Sequence, residues 1–120
     1  FARSDDELAA VIGHEMAHVF CHHCECKLKT LALAHAALED LGVMAANVGL
    51  SVSAPFGQPD EHQADRESMK ICDKAGYARD GIVRFLKHLE RTEKQDESLV
   101  EKVVSSHPFH SERLEYLKSQ

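Results

Sequence analysis

The sequence predicts a mainly α-helical domain, and three observations lead to that expectation. Apolar residues recur at helical spacing, capping and stop signals bracket several of the segments, and no segment reads as a confident strand or an internal repeat. A length of 120 residues, 43% of them hydrophobic and 28% charged, is enough to close one core and leaves little room for a second.

The first helix has the clearest start. Ser4 followed three residues later by Glu7 is a capping-box pattern, and Asp5, Asp6 and Glu7 suit the positive end of a helix dipole. Leu8, Ile12, Met16 and Val19 or Phe20 then form an apolar stripe in a helix expected to run to about Cys24. An Ala- and Leu-rich stretch over about 27–48 predicts a second helix, weakened near its end by Gly42 and Gly49. Pro55, Gly57 and Pro59 mark 51–59 as a loop.

A third helix is expected from near Asp60 to Gly76, a natural left-handed C-cap after Lys74-Ala75. Asp80 can cap a fourth, with Ile82, Phe85, Leu86 and Leu89 on one face. The charged run 90–97 reads as its solvated end and a linker. A short helix is expected near 99–104, and a last one after His107-Pro108 with Leu114 and Leu117.

Composition excludes some functions. Fourteen basic against twenty acidic residues leave a net charge of −6, so the chain lacks the positive field that binds phosphate backbones, and nucleic acid is not an expected partner. No stretch reads as a signal peptide or a membrane span. The uncharged segment 41–59 contains Asn47 and Pro55 and reads as a buried helix followed by a loop. The chain opens Phe1-Ala2-Arg3 without a start methionine and reads as a cut-out or processed domain. What stands out is nine histidines beside four cysteines.

The sharpest signal is His14-Glu15-Met16-Ala17-His18, an H-E-x-x-H on the first helix. Residues four apart lie one above the other, so two imidazoles can grip one cation while Glu15 approaches a water beside it as general base. Composition alone gives about 0.07 such matches in a chain of this make-up. His22 continues the same spacing, but eight residues of helix rise roughly 12 Å, too far for one ion to take all three. The extended pattern H-E-x-x-H-x-x-G-x-x-H is excluded, because Cys21 and Cys24 stand where it needs glycine and histidine.

Downstream, Glu61 and Asp65 share a face at the start of the third helix. One carboxylate can bind metal while the other accepts a hydrogen bond from a ligating imidazole. Two histidines, a carboxylate and an open fourth position make a catalytic rather than a structural zinc geometry. Taken alone, the pair reads as two acids favoured by a helix N-terminus.

The stretch from Glu7 to Val19, then Glu61-x-x-Ala64-Asp65-Arg66, resembles the HtpX-like and CaaX-prenyl-protease-like gluzincin metallopeptidases. It is most similar to their soluble periplasmic and Oma-type branch. His107-Pro108 through Glu112-Arg113 is similar to that family's H-P-x-x-x-E-R segment, and Lys74-Ala75-Gly76-Tyr77 also matches. The resemblance covers nearly the whole chain and implies a zincin-type core over 1–120, truncated on its N-terminal side and lacking most of the family's small β-sheet.

By position, it implies one zinc ion held by His14, His18 and Glu61, with Glu15 as the base. Asp65 would orient a ligating histidine, most naturally His14. His107 would stabilise the oxyanion or cap the zinc in a resting state, and Arg113 would hold its segment by pairing with an acid or assist at the site. The implied activity is zinc-dependent endopeptidase action on protein or peptide substrates, in quality control of misfolded or membrane-associated proteins. Membrane association of the parent protein and a periplasmic or membrane-associated location follow from the resemblance alone.

Two rival readings stand beside it. One is a catalytically silent, zinc-stabilised domain that binds client proteins. The other is a His/Cys metal-binding module built on Cys21-His22-His23-Cys24-Glu25-Cys26. With Cys72, these thiols are read as free and packed, as a disulfide, or as a second metal site. His23 matches a histidine often found in that family five residues after the second ligand, and the resemblance implies a structural role for it.

Overall fold

A computed structural model describes residues 2–36, 55–93, 107–108 and 110–119. They form five helices: α1 (Asp5–Phe20), α2 (His23–Ala36), α3 (Gln58–Ala75), α4 (Gly81–Glu93) and α5 (His110–Lys118). The described part is mainly α, with no strand among the described residues. The expected second half of the 27–48 helix and the expected helix at 99–104 lie outside the described residues.

The start of α1 follows the capping signal only in part. Ser4 Oγ accepts from the Glu7 amide at 3.2 Å, as a cap should. Glu7, however, reaches past Ser4 and accepts from the Arg3 amide at 2.8 Å. The helix ends earlier than expected. Phe20 closes it, Cys21 and His22 turn the chain, and His22 takes a left-handed φ of 57°. His22 is thus removed from the His14–His18 face by the turn, and its side chain pairs with Glu25 at 2.9 Å.

α3 begins two residues before its expected start, taking Gln58 and Pro59 from the predicted loop. Proline suits the first helical turn, where its missing N–H has no intrahelical partner anyway. The predicted stop holds: Gly76 adopts φ 82°, and its amide closes on the last turn.

α1 packs most extensively on α3 and then on α4, while α5 closes against α4 and α3. The core is Ala10, Cys72, Ile82, Phe85, Leu86, Leu89, Leu114 and Leu117, which includes every α4 and α5 apolar residue expected to face inward. The α1 stripe does not join it. Leu8 and Ile12 are about half exposed, at 51% and 52%, and Val19 and Phe20 more so. α1 instead buries Glu7, Ala10, Gly13, His14, Ala17 and His18. Small residues at 10, 13 and 17 let α3 approach closely, and Ser68 of α3 donates its hydroxyl to the Ala10 carbonyl at 2.6 Å. The imidazoles of α1 are thereby pressed onto α3. The inward face of α1 thus combines small apolar residues, Ala10 and Ala17, with buried polar ones, and leaves the large apolar stripe outside.

Candidate active site

α1 supplies His14, Glu15 and His18, and α3 supplies Glu61 and Asp65. His107 lies just before α5, and Arg113 lies on α5. The fold brings all seven residues named from the sequence into one place.

The four-residue spacing on α1 sets His14 Nε2 and His18 Nε2 3.1 Å apart. Glu61 spans the pair, with Oε2 3.4 Å from His14 Nε2 and Oε1 3.5 Å from His18 Nε2. His107 Nδ1 lies 3.4 Å from His14 Nε2 and 3.0 Å from Glu61 Oε1. These spacings are those of a metal polyhedron. Bonds of about 2.0–2.1 Å arranged tetrahedrally put neighbouring donor atoms about 3.3–3.4 Å apart. Donor atoms of His14, His18, Glu61 and His107 all fall within 4.8 Å of one another, and no other such group of His, Cys, Asp and Glu occurs among the described residues.

A second observation fits a cation. Glu61 is fully buried, and its Oε2 has no hydrogen bond among the described residues, although Arg113 Nη1 stands 2.8 Å away off the hydrogen-bond direction. Arg113 offsets its charge, but an acceptor without a directed hydrogen bond keeps a lone pair that a cation can take. The residues present fit a divalent metal ion.

The outer groups are tightly tied. His14 Nδ1 faces Asp65 Oδ1 at 2.9 Å. Arg113 then holds Asp65 from behind through two donors, Nε to Oδ2 at 2.8 Å and Nη2 to Oδ1 at 2.6 Å. Glu15 lies at the solvent side of the site: its side chain is 56% exposed, and Oε1 lies 3.4 Å from His107 Nε2. An exposed carboxylate beside a buried donor set is open to water and substrate.

Electrostatics agree with the geometry. Burial pushes the Glu61 carboxyl up, but hydrogen bonds with His107 and His14 and the Arg113 charge outweigh it and hold it well below the usual carboxylate range. Burial likewise opposes ionisation of Asp65, and its bonds to Arg113 and His14 prevail. Burial and then the neighbouring His14 push His18 down to about 3, which keeps its lone pair free for a cation near neutral pH. Burial alone would lower His14, but Asp65 and Glu61 raise it, so proton and cation compete for this imidazole.

Two neighbours of the site have no role in the sequence reading of the metal centre. His23 Nδ1 lies 2.9 Å from His18 Nδ1. Phe56 stacks on the His18 ring with centroids 3.9 Å apart. His23 was marked by the family resemblance, though only as a structural residue. Phe56 offered no signal, because only the tertiary return of the chain before α3 sets it there. The cysteines contribute no metal-holding group among the described residues: Cys21 is half-buried, Cys24 and Cys26 are exposed, Cys72 is buried in the core, and all four are free thiols. His62, adjacent to Glu61, stacks flat on Tyr116 with centroids 4.0 Å apart.

Two histidines one helical turn apart, a carboxylate from a second helix and an open acid between the histidines in sequence define a metallopeptidase type of site. The comparisons agree with that class. The chain belongs to peptidase family M48, whose family model matches residues 1–120. It is similar to the metalloprotease LoiP of Escherichia coli (strain K12), with 28% identity over 129 residues, covering 98% of this chain and 50% of that protein. The chain thus spans about half the length of the curated relative it matches. No solved structure matches it.

Proposed function

We propose that the protein is a zinc-dependent endopeptidase in which His14 Nε2, His18 Nε2 and Glu61 hold the ion. The observation that supports this most is the spacing of these donor atoms, 3.1–3.5 Å, around a fully buried carboxylate. Zinc, when bound, supplies Lewis acidity toward the scissile carbonyl. Glu15 takes the proton of the attacking water at a carboxylate oxygen and delivers it to the departing amine. Asp65 keeps the His14 proton on Nδ1 and so presents Nε2 as the ligand atom. Arg113 keeps Asp65 and Glu61 ionised. His107, 16% exposed, donates toward the charge that grows on the carbonyl oxygen.

One observation favours a second reading of His107. Its Nδ1 falls within the donor set itself, and four protein donors make a closed site, whereas a catalytic one keeps a position open. His107 then caps the ion in a resting state. Replacing it separates the two roles: His107→Ala raises turnover if the residue is a cap and lowers it if it serves the oxyanion.

The family resemblance supports substrates among misfolded or membrane-associated proteins and a periplasmic or membrane-associated location. No helix among the described residues is long and apolar enough to cross a membrane. The test of the catalytic assignment is Glu15→Gln. It is expected to retain zinc and lose cleavage of an unfolded test protein. Cleavage at the parent rate by this variant contradicts the assignment.

A further inference from the structure

His23 is the first residue of α2, which the turn at Cys21 and His22 folds back beside the end of α1. It is 95% buried, with a relative exposure of 5%, an unusual place for a histidine without a task. Its Nδ1 meets His18 Nδ1 at 2.9 Å, and its Nε2 faces Gln63 Oε1 at 3.4 Å, with Asp60 Oδ1 at 3.9 Å beyond. Phe56 stacks on the His18 ring face, with centroids 3.9 Å apart.

Proton positions follow from this chain of contacts. Two ring nitrogens at 2.9 Å share one hydrogen. If His18 offers Nε2 to a cation, its own proton must sit on Nδ1, which then donates. His23 Nδ1 must therefore accept, which puts the His23 proton on Nε2, where Gln63 Oε1 is the waiting acceptor. Every atom in the line has a compatible partner. The reverse tautomer would leave His18 with its proton on Nε2, against His14 and Glu61, and with no ligand atom to offer.

We infer that His23 is the positioning residue of His18, a neutral imidazole acceptor that fixes its tautomer and ring plane as Asp65 does for His14. The two ligands are thus held by different chemistry: His14 by a carboxylate anchored on Arg113, and His18 by a neutral ring anchored on Gln63. This inference rests on the proposed metal site.

The test uses the zinc-loaded 120-residue chain. Histidine ring-nitrogen NMR is expected to show His23 with an unprotonated Nδ1 and a protonated Nε2, and His18 protonated at Nδ1. The opposite tautomer at His23 overturns the inference without the need for any variant. Zinc affinity by chelator competition gives the second arm. His23→Phe, which keeps the ring but no acceptor, is expected to weaken zinc binding about 10–100-fold, and His23→Asn, whose Oδ1 falls near the lost Nδ1, to recover most of it. Equal affinity in parent and both variants overturns the role of His23 and leaves the metal site standing. A parent chain that binds no zinc, or whose zinc survives His14→Ala, overturns the metal site and the inference with it.

Discussion

Arg113 grips Asp65 through a two-pronged contact, Nε to Oδ2 at 2.8 Å and Nη2 to Oδ1 at 2.6 Å, with both side chains almost wholly buried. The planar fork fixes the carboxylate in one orientation. That orientation turns Oδ1 toward His14 Nδ1 at 2.9 Å. A residue on the last described helix thereby orients the carboxylate that faces an imidazole on the first, 99 positions earlier.

Removing the guanidinium should cost stability before any metal is considered. Arg113→Leu leaves Glu61 and Asp65 buried without their counter-charge, a change expected to cost about 3–5 kcal/mol. Urea unfolding of the metal-free chain measures it. Arg113→Lys keeps a charge but not the fork, and should lie between parent and leucine variant. A leucine variant as stable as the parent contradicts the role given to this pair.

Asp65→Asn preserves size while weakening the carboxylate that holds His14. Zinc affinity is expected to fall about 10–100-fold with little change in helix content. Chelator competition with circular dichroism on the same samples reads both quantities, and unchanged affinity would mean that Asp65 does not act through His14.

Acid should destabilise the metal-free chain in two stages. His18 is depressed from 6.5 to about 3, so its contribution is fully present above about pH 6.5 and is lost as pH falls from there toward 3. Glu61 and Asp65 are depressed too, so their contributions are present above the ordinary carboxylate values and decline as pH falls through them. His14 is raised and works in the opposite sense, stabilising at low pH and less as pH rises through its folded value. Between pH 7 and 5 only the two histidines change, and the large depression of His18 outweighs the opposite shift of His14, which predicts a lower Tm at pH 5 than at pH 7, with the carboxylates adding to the loss only below about pH 4.5. A Tm that is flat or rises between pH 7 and 5 contradicts this balance.

Gly81 opens α4 against the first turn of α1, where an added Cβ would run into the Asp6 carbonyl oxygen. Gly81→Ala must push the helices apart, at an expected cost of about 1–3 kcal/mol. Thermal unfolding reads it, and an alanine variant of parental stability would show that α1 and α4 do not meet this closely.

Much of the fold was legible because it is local. The inward face of α4, the Gly76 stop and the His14–His18 pair each follow from residues a few positions apart. Glu61 and Asp65 were visible as two acids on one helix face, but their separate roles, and Arg113, were reached through family resemblance, since nothing near them in sequence says which acid faces which imidazole. The α1 stripe misled for a related reason. Periodicity finds an apolar face but not its direction, and here buried histidines satisfied by distant acids claim the inner side. The difference is measurable. Leu8→Gln and Ile12→Gln should each change stability by no more than about 0.5 kcal/mol, while Leu86→Ala, in the core, should cost about 2–5 kcal/mol. Equal costs at both kinds of position would return the stripe to the core.

The central claim is a metal ion between α1 and α3. Anomalous scattering at the zinc edge from crystals of the zinc-loaded chain tests it most directly. The expected result is one strong peak bounded by His14 Nε2, His18 Nε2 and Glu61, with the map also showing whether His107 is bound. A peak on Cys21, Cys24 or Cys26 instead, or none at the histidine pair, contradicts the account.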